Sequence, residues 1–210
     1  MTQHLNVAPT PQKLSRYKSY AGLLLLCFAA SANAHSGEGV AGGFISGFLH
    51  PLSGLDHLLA MVAVGIWGAT LGRPLVWALP VAFPMLMVVG GVLGIAQVPL
   101  PFVEVGIAAS VIVLGLSIAS AWRAPMVIAV GIVAVFGVFH GHAHGTELPK
   151  TAAPAAYAAG FVISTGLLHL AGIAIGLVKG LPRGGQVLRA SGGVIAAAGV
   201  WILAGMPGVA

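Results

Sequence analysis

Six apolar stretches, joined by short connections, dictate what this chain can become. They run at about 40–71, 75–96, 102–121, 126–143, 155–178 and 187–206. About 20 apolar residues in a row match the hydrocarbon thickness of a bilayer. Inside that layer every backbone N–H and C=O must find its partner within the protein, which a helix achieves locally. The rest of the chain offers no other solution. Only 6% of its 210 residues are charged and the mean hydropathy is +1.01, whereas a soluble domain carries about 25% charged residues. The expected fold is therefore all-α: a polytopic membrane protein, a bundle of six transmembrane helices after a cleavable signal peptide.

The leader is read from residues 1–34. Lys13, Arg16 and Lys18 form a positive start, Ala21 to Ala30 an apolar core too short to span, and Ala32-Asn33-Ala34 a small-x-small cleavage pattern. Cleavage there removes the single cysteine, Cys27, and leaves no thiolate ligand or nucleophile. Residues 35–210 then form one six-helix transmembrane domain beginning at His35.

The connections read GRP (72–74), QVPLP (97–101), WRAP (122–125) and KGLPRGGQ (179–186). The formal charge of +5 makes no nucleic-acid patch, because the basic residues are scattered between apolar runs. It does set topology. With His35 outside, Arg73, Arg123, Lys179, Arg183 and Arg189 fall on the cytoplasmic side, against Lys150 outside. That distribution follows the positive-inside rule, and both mature ends are expected outside.

The few remaining polar groups are nearly all imidazole and carboxylate. Ionisable groups inside a membrane are costly, and they mark functional sites by default. The segment His50-Pro51-Leu52-Ser53-Gly54-Leu55-Asp56-His57 interrupts the first span. His50 and His57, seven apart, share a face of a regular helix. Pro51 and Gly54 argue for a broken helix that lets Asp56 turn inward. Met61 lies one turn beyond His57, as packing or as a fourth inward group.

The second constellation, His140-Gly-His142-Ala-His144-Gly-Thr146-Glu147, closes the fourth span. His140, His144 and Glu147 follow i, i+4, i+7; His142 is expected off that face, toward water. His169 stands alone in span five, one turn after Thr165. Glu104 opens span three, where a helix dipole favours an acid. His35, if it is the mature N-terminus, offers an amine and an imidazole together, with Glu38 nearby. The candidate metal ligands are thus His50, Asp56, His57, His140, His144, Glu147, His169 and His35. Such N and O donors suit divalent transition metals. Gly137, Gly141 and Gly145, and again Gly172, Gly176 and Gly180, form small-residue stripes that let helices approach closely.

The motifs HPLSGLDHLLAMVAVGIWGA (50–69), FHGHAHGTELP (139–149) and STGLLHLAG (164–172) closely resemble those of the HupE/UreJ proteins, along essentially the whole mature chain. The resemblance implies a bacterial inner-membrane permease for nickel or cobalt, linked to hydrogenase or urease maturation. It places metal binding on His50, Asp56 and His57 and on His140, His144 and Glu147, and it includes a histidine at the mature N-terminus, here His35.

The expected function is ATP-independent import of Ni²⁺ or Co²⁺, through a path open to the periplasm and narrowing toward the midplane. No GxxxxGK[ST] loop occurs, which excludes P-loop ATP hydrolysis. The metal is cargo, no prosthetic group is expected, and the partners are the ion and membrane lipid, not nucleic acid. Two other classes stay open: an intramembrane metalloenzyme with an activated water, and a periplasm-facing metal sensor or accessory protein.

Overall fold

The computed structural model describes residues 40–147 and 153–206. The expected leader, His35, Glu38 and Lys150 lie outside the described residues. All regular structure among the described residues is helical, with no strand. The helices are α1 (Val40–Ser53), α2 (Leu55–Leu71), α3 (Leu75–Ile95), α4 (Val103–Ala119), α5 (Met126–Thr146), α6 (Pro154–Gly176) and α7 (Gly184–Ala204). A short 3-10 turn, Leu177–Gly180, prolongs α6.

By length and composition α3, α5, α7 and the joined segment Pro154–Gly180 can each cross a bilayer. The pair α1–α2 meets the same test only as a unit, bent by 80° between Ser53 and Leu55. Helix α4 is apolar but has only 17 residues, about 26 Å at 1.5 Å per residue. The six expected runs are all present as helices, but four stand as full spans, or five with the bent pair.

The break in the first run falls at Gly54, not at Pro51. Pro51 stays within the last turn of α1, and Gly54 adopts an extended conformation, φ −94°, ψ 119°. The interrupted helix leaves carbonyls without donors. Ser53 Oγ donates to the His50 carbonyl at 2.7 Å, and the Leu58 N–H donates to Gly54 O at 3.0 Å.

Glycine brings the helices together. A Cβ on Gly137 would stand 2.7 Å from the Phe83 carbonyl, and one on Gly141 would collide with the Met87 backbone. Thus α5 lies directly against α3, as Gly65 and Gly172 set α2 against α6. The packing role expected of these stripes holds except at Gly180, whose Cβ position faces nothing within 4 Å.

The core between these pairs contains Trp67, Met61, Phe83, Leu79 and Leu114, all fully buried. Met61 is therefore packing. The opposite face of α3 presents Trp77, Val81, Met85, Val88 and Val92 outward. An apolar outer stripe over a glycine-lined inner one suits a helix solvated by lipid. The chain is thus a multi-pass membrane protein.

The bundle is electrically two-ended. Asp56, Glu104 and Glu147 line a common cavity at one end. Arg123, Lys179 and Arg189 line another, where α2 and α4 finish and α7 begins. There the Lys179 ammonium donates to the Ala69 carbonyl, and Arg189 Nε donates to Ala119 O at 2.9 Å. Cations thereby occupy the negative ends of two helices.

Candidate metal pathway

The 80° bend turns the end of α1 and the start of α2 inward, toward the last turns of α5. The helix α5 continues unbroken to Thr146, so His140 and His144 keep the common face their spacing requires. The result is a row of imidazoles drawn from three segments. His50 lies 4.8 Å from His144, His144 lies 4.6 Å from His57, and His57 lies 4.7 Å from His140, ring centre to ring centre. Tyr157 and Phe161 of α6 wall the outer part, with Phe161 4.4 Å from His144.

The row opens into a cavity of about 210 Å³ at the carboxylate end, lined by His50, Ser53, Asp56, His57, Glu104 and Glu147. Glu147 caps α5, its N–H donating to Ala143 O at 3.0 Å. Both glutamates are exposed, so they face whatever enters.

Two hydrogen bonds decide which nitrogen each inner ring presents. Asp56 Oδ1 lies 2.7 Å from both the backbone N and the Nδ1 of His57. A carboxylate has no proton to donate, so both nitrogens donate to it. In the neutral ring the proton then sits on Nδ1 and Nε2 carries the lone pair. Nε2 is buried and has no protein partner. Asp56 was read as a ligand that swings inward; the bend does turn it in, and its nearest engagement is with His57. A Cβ on Gly54 would lie 2.8 Å from Asp56 Oδ1 and 3.1 Å from His57 Nδ1, so the pair closes over a residue without a side chain.

His140 is oriented by Ser110 of α4. Ser110 Oγ donates its only proton to Ile107 O at 2.6 Å. Its contact with His140 Nε2, 2.9 Å, therefore has the ring as donor. This leaves His140 Nδ1 as a lone pair, buried and unpartnered. Neither nitrogen of His144 has a partner. Buried polar atoms without partners are uncommon and call for a reason. Here they belong to adjacent rings, oriented by a carboxylate and a hydroxyl as metal-binding histidines are.

No group of three or more His, Cys, Asp or Glu side chains among the described residues has donors already converging on one metal position. The rings meet edge to face or tilted, two at a time. Such a row offers successive pairs rather than a closed chelate.

The structure thus brings together His50, Asp56, His57, His140 and His144, with Glu147 at the mouth. It does not bring His169 to them. That ring lies beyond Phe83, which is 5.2 Å from His140 and 5.7 Å from His169. His142 is the correction. It is off the shared face as expected, but it does not meet water: it is 6% exposed, and its Nε2 lies 2.8 Å from the Val98 carbonyl. The α3–α4 connection folds over it. Glu104, expected at the start of span three on the same membrane side as the histidines, does line the cavity, whereas Ser110 and the aromatic wall were not foreseen. A lone serine in an apolar run carries no signal of its partner on another helix.

Comparison with known proteins identifies the family. The HupE / UreJ protein family profile matches residues 23–202. Protein HupE of Rhizobium leguminosarum bv. viciae is 44% identical over 183 residues, covering 87% of this chain and 95% of that protein. No solved structure matches the chain. With one profile spanning both histidine motifs and all seven helices up to Ile202, the chain belongs to the HupE/UreJ family.

Proposed function

We propose that this protein is a secondary transporter that admits Ni²⁺ or Co²⁺ into the cell through the histidine row, without ATP. The observation that carries the reading is the pair of lone-pair nitrogens, His57 Nε2 and His140 Nδ1. They are buried, unpartnered and on rings 4.7 Å apart. Imidazole nitrogen is a preferred donor for nickel and cobalt, and the cavity carboxylates suit the hydrated ion at entry. Conduction demands binding that is favourable enough to enter and weak enough to leave. A row of ring pairs meets that demand better than a four-ligand cage.

In this reading the carboxylate cavity faces the periplasm and the basic end faces the cytoplasm, as the positive-inside rule asks. Glu104 and Glu147 attract the cation. Asp56 and Ser110 hold His57 and His140 in the tautomers that bind it. His35, at the mature N-terminus, would supply a further donor outside. The imported metal would serve hydrogenase or urease maturation.

The test is uptake of radioactive Ni²⁺ and Co²⁺ into proteoliposomes containing only this protein. Accumulation above protein-free liposomes, lost in His57→Ala, supports import. Tight binding without accumulation would replace the transporter with a sensor or accessory protein.

A further inference from the structure

The second set of unpartnered polar atoms lies deeper, on α6. His169 is 2% exposed, Thr165 0% and Ser164 1%. Neither nitrogen of His169 and neither hydroxyl has a partner. This departs from the pattern of the same molecule. Thr70, Ser110, Ser117, Thr146 and Ser191 each donate to a carbonyl of their own helix, the usual habit of a helical hydroxyl. Thr165 and His169 are one turn apart and share a face.

Across from them, α3 contains Pro80 and Pro84. Pro84 has no N–H, so the Pro80 carbonyl, four residues earlier, has no helical donor. That carbonyl lies near enough to His169 to act as a loose acceptor for its ring N–H, short of full hydrogen-bond geometry. An imidazole, a hydroxyl one turn away on the same face and a proline carbonyl beside the ring are thus the polar groups on this stretch of α6 and α3. Phe83 separates this spot from the histidine row, its ring within 5.7 Å of both His140 and His169.

We propose that His169, the Thr165 hydroxyl and the Pro80 carbonyl form a second, inner station for the divalent cation, which reaches it from His140 past Phe83. The inference rests on the transport reading above and extends it toward the basic end. One nitrogen and two neutral oxygens bind a borderline cation weakly, with the remaining ligands as water. Weak binding is what a station on the way out requires. A cation held there is already detached from the carboxylate cavity.

The experiment uses the full chain in proteoliposomes and measures initial uptake of Ni²⁺ and Mn²⁺ against concentration. His169→Phe fills the ring volume without donors, Thr165→Val removes only the hydroxyl, and His169→Gln replaces nitrogen by an amide oxygen. The expected result is a maximal Ni²⁺ rate at least tenfold lower in His169→Phe and several-fold lower in Thr165→Val, with half-saturation unchanged. His169→Gln should recover part of the rate and shift the Ni²⁺ to Mn²⁺ ratio toward Mn²⁺, which a merely structural histidine would not do. His169→Phe and Thr165→Val both transporting at the wild-type rate would overturn the inner station alone. A wild-type chain that moves no cation would remove the transport reading and the station together. Should His169→Phe yield no folded protein, Thr165→Val and the His169→Gln ratio decide.

Discussion

Ser110 Oγ and His140 Nε2, on α4 and α5, lie 2.9 Å apart, and the hydroxyl has already given its proton to Ile107 O. The serine therefore fixes a tautomer thirty residues away in sequence. Ser110→Ala should leave the fold intact, since it removes one oxygen from a packed site. Ring orientation would be lost, and removal of such an orienting partner typically costs 10–100-fold in metal affinity or activity. Half-saturation for Ni²⁺ uptake should rise by that order. Ser110→Thr, which keeps the hydroxyl, should stay closer to wild type. Equal half-saturation in Ser110→Ala and wild type would detach Ser110 from the site.

Asp56 plays the same part for His57 and should be less tolerant. Asp56→Ala leaves the ring free to rotate and takes a carboxylate from the cavity, so uptake should fall to background with the protein still in the membrane. Asp56→Asn retains an acceptor oxygen for Nδ1–H and should keep measurable transport. Proteoliposome rates normalised to folded protein distinguish the two. Normal transport by both Asp56→Ala and His57→Ala would end this site assignment.

Gly54→Ala isolates the geometry from the chemistry. The added Cβ would press on Asp56 Oδ1 and His57 Nδ1, 2.8 and 3.1 Å from its ideal position. Both are side-chain atoms able to move, and φ at this residue is negative. Stability should change by less than about 1 kcal/mol, while uptake falls several-fold because the Asp56–His57 bond opens. A thermal shift in detergent and an uptake rate on the same sample check it. A large loss of stability with normal specific uptake would contradict the account.

How much of this was legible in the sequence depends on range. Spacing alone placed His140 and His144 on one face, because α5 runs regularly through both, while Glu147 lies just past its last turn and lines the cavity. It also located the break within Pro51–Gly54, although the helix fails at Gly54 and carries Pro51 in its last turn. What it could not supply was the hinge direction: an 80° bend at Gly54 decides that His57 meets His140 rather than its own helix. Ser110, Phe83 and Phe161 were invisible for the same reason. Each reads as an ordinary apolar-run residue until another helix is laid against it. His142 was misread because the loop that covers it, through Val98, belongs to a different pair of helices.

His142 now yields a prediction of its own. The Val98 carbonyl ties the α3–α4 connection to α5 through this ring, 2.8 Å away. His142→Ala should cost about 1 kcal/mol, the net contribution of a hydrogen bond that is only partly buried. Uptake per folded molecule should remain near wild type, because His142 lies off the face shared by His140 and His144. Detergent melting curves with normalised uptake rates test this. A normal melting temperature together with lost transport would place His142 in the path instead.

On the import reading, charge sets the direction. A divalent cation entering from the carboxylate cavity moves toward an inside-negative potential. The gain is about 2.3 kcal/mol per charge per 100 mV, so roughly 4–5 kcal/mol for two charges. Import should therefore proceed without nucleotide, and liposomes held inside-negative should fill faster than depolarised ones. Imidazole binds metal only when neutral, and in water it protonates with a pKa of about 6.5. The sign is thus fixed: lowering the outer pH should slow uptake, and raising it again should restore the rate. Uptake indifferent to potential would overturn simple uniport. Electroneutral exchange for two protons would then be the mechanism, visible as alkalinisation of the liposome interior as the metal enters.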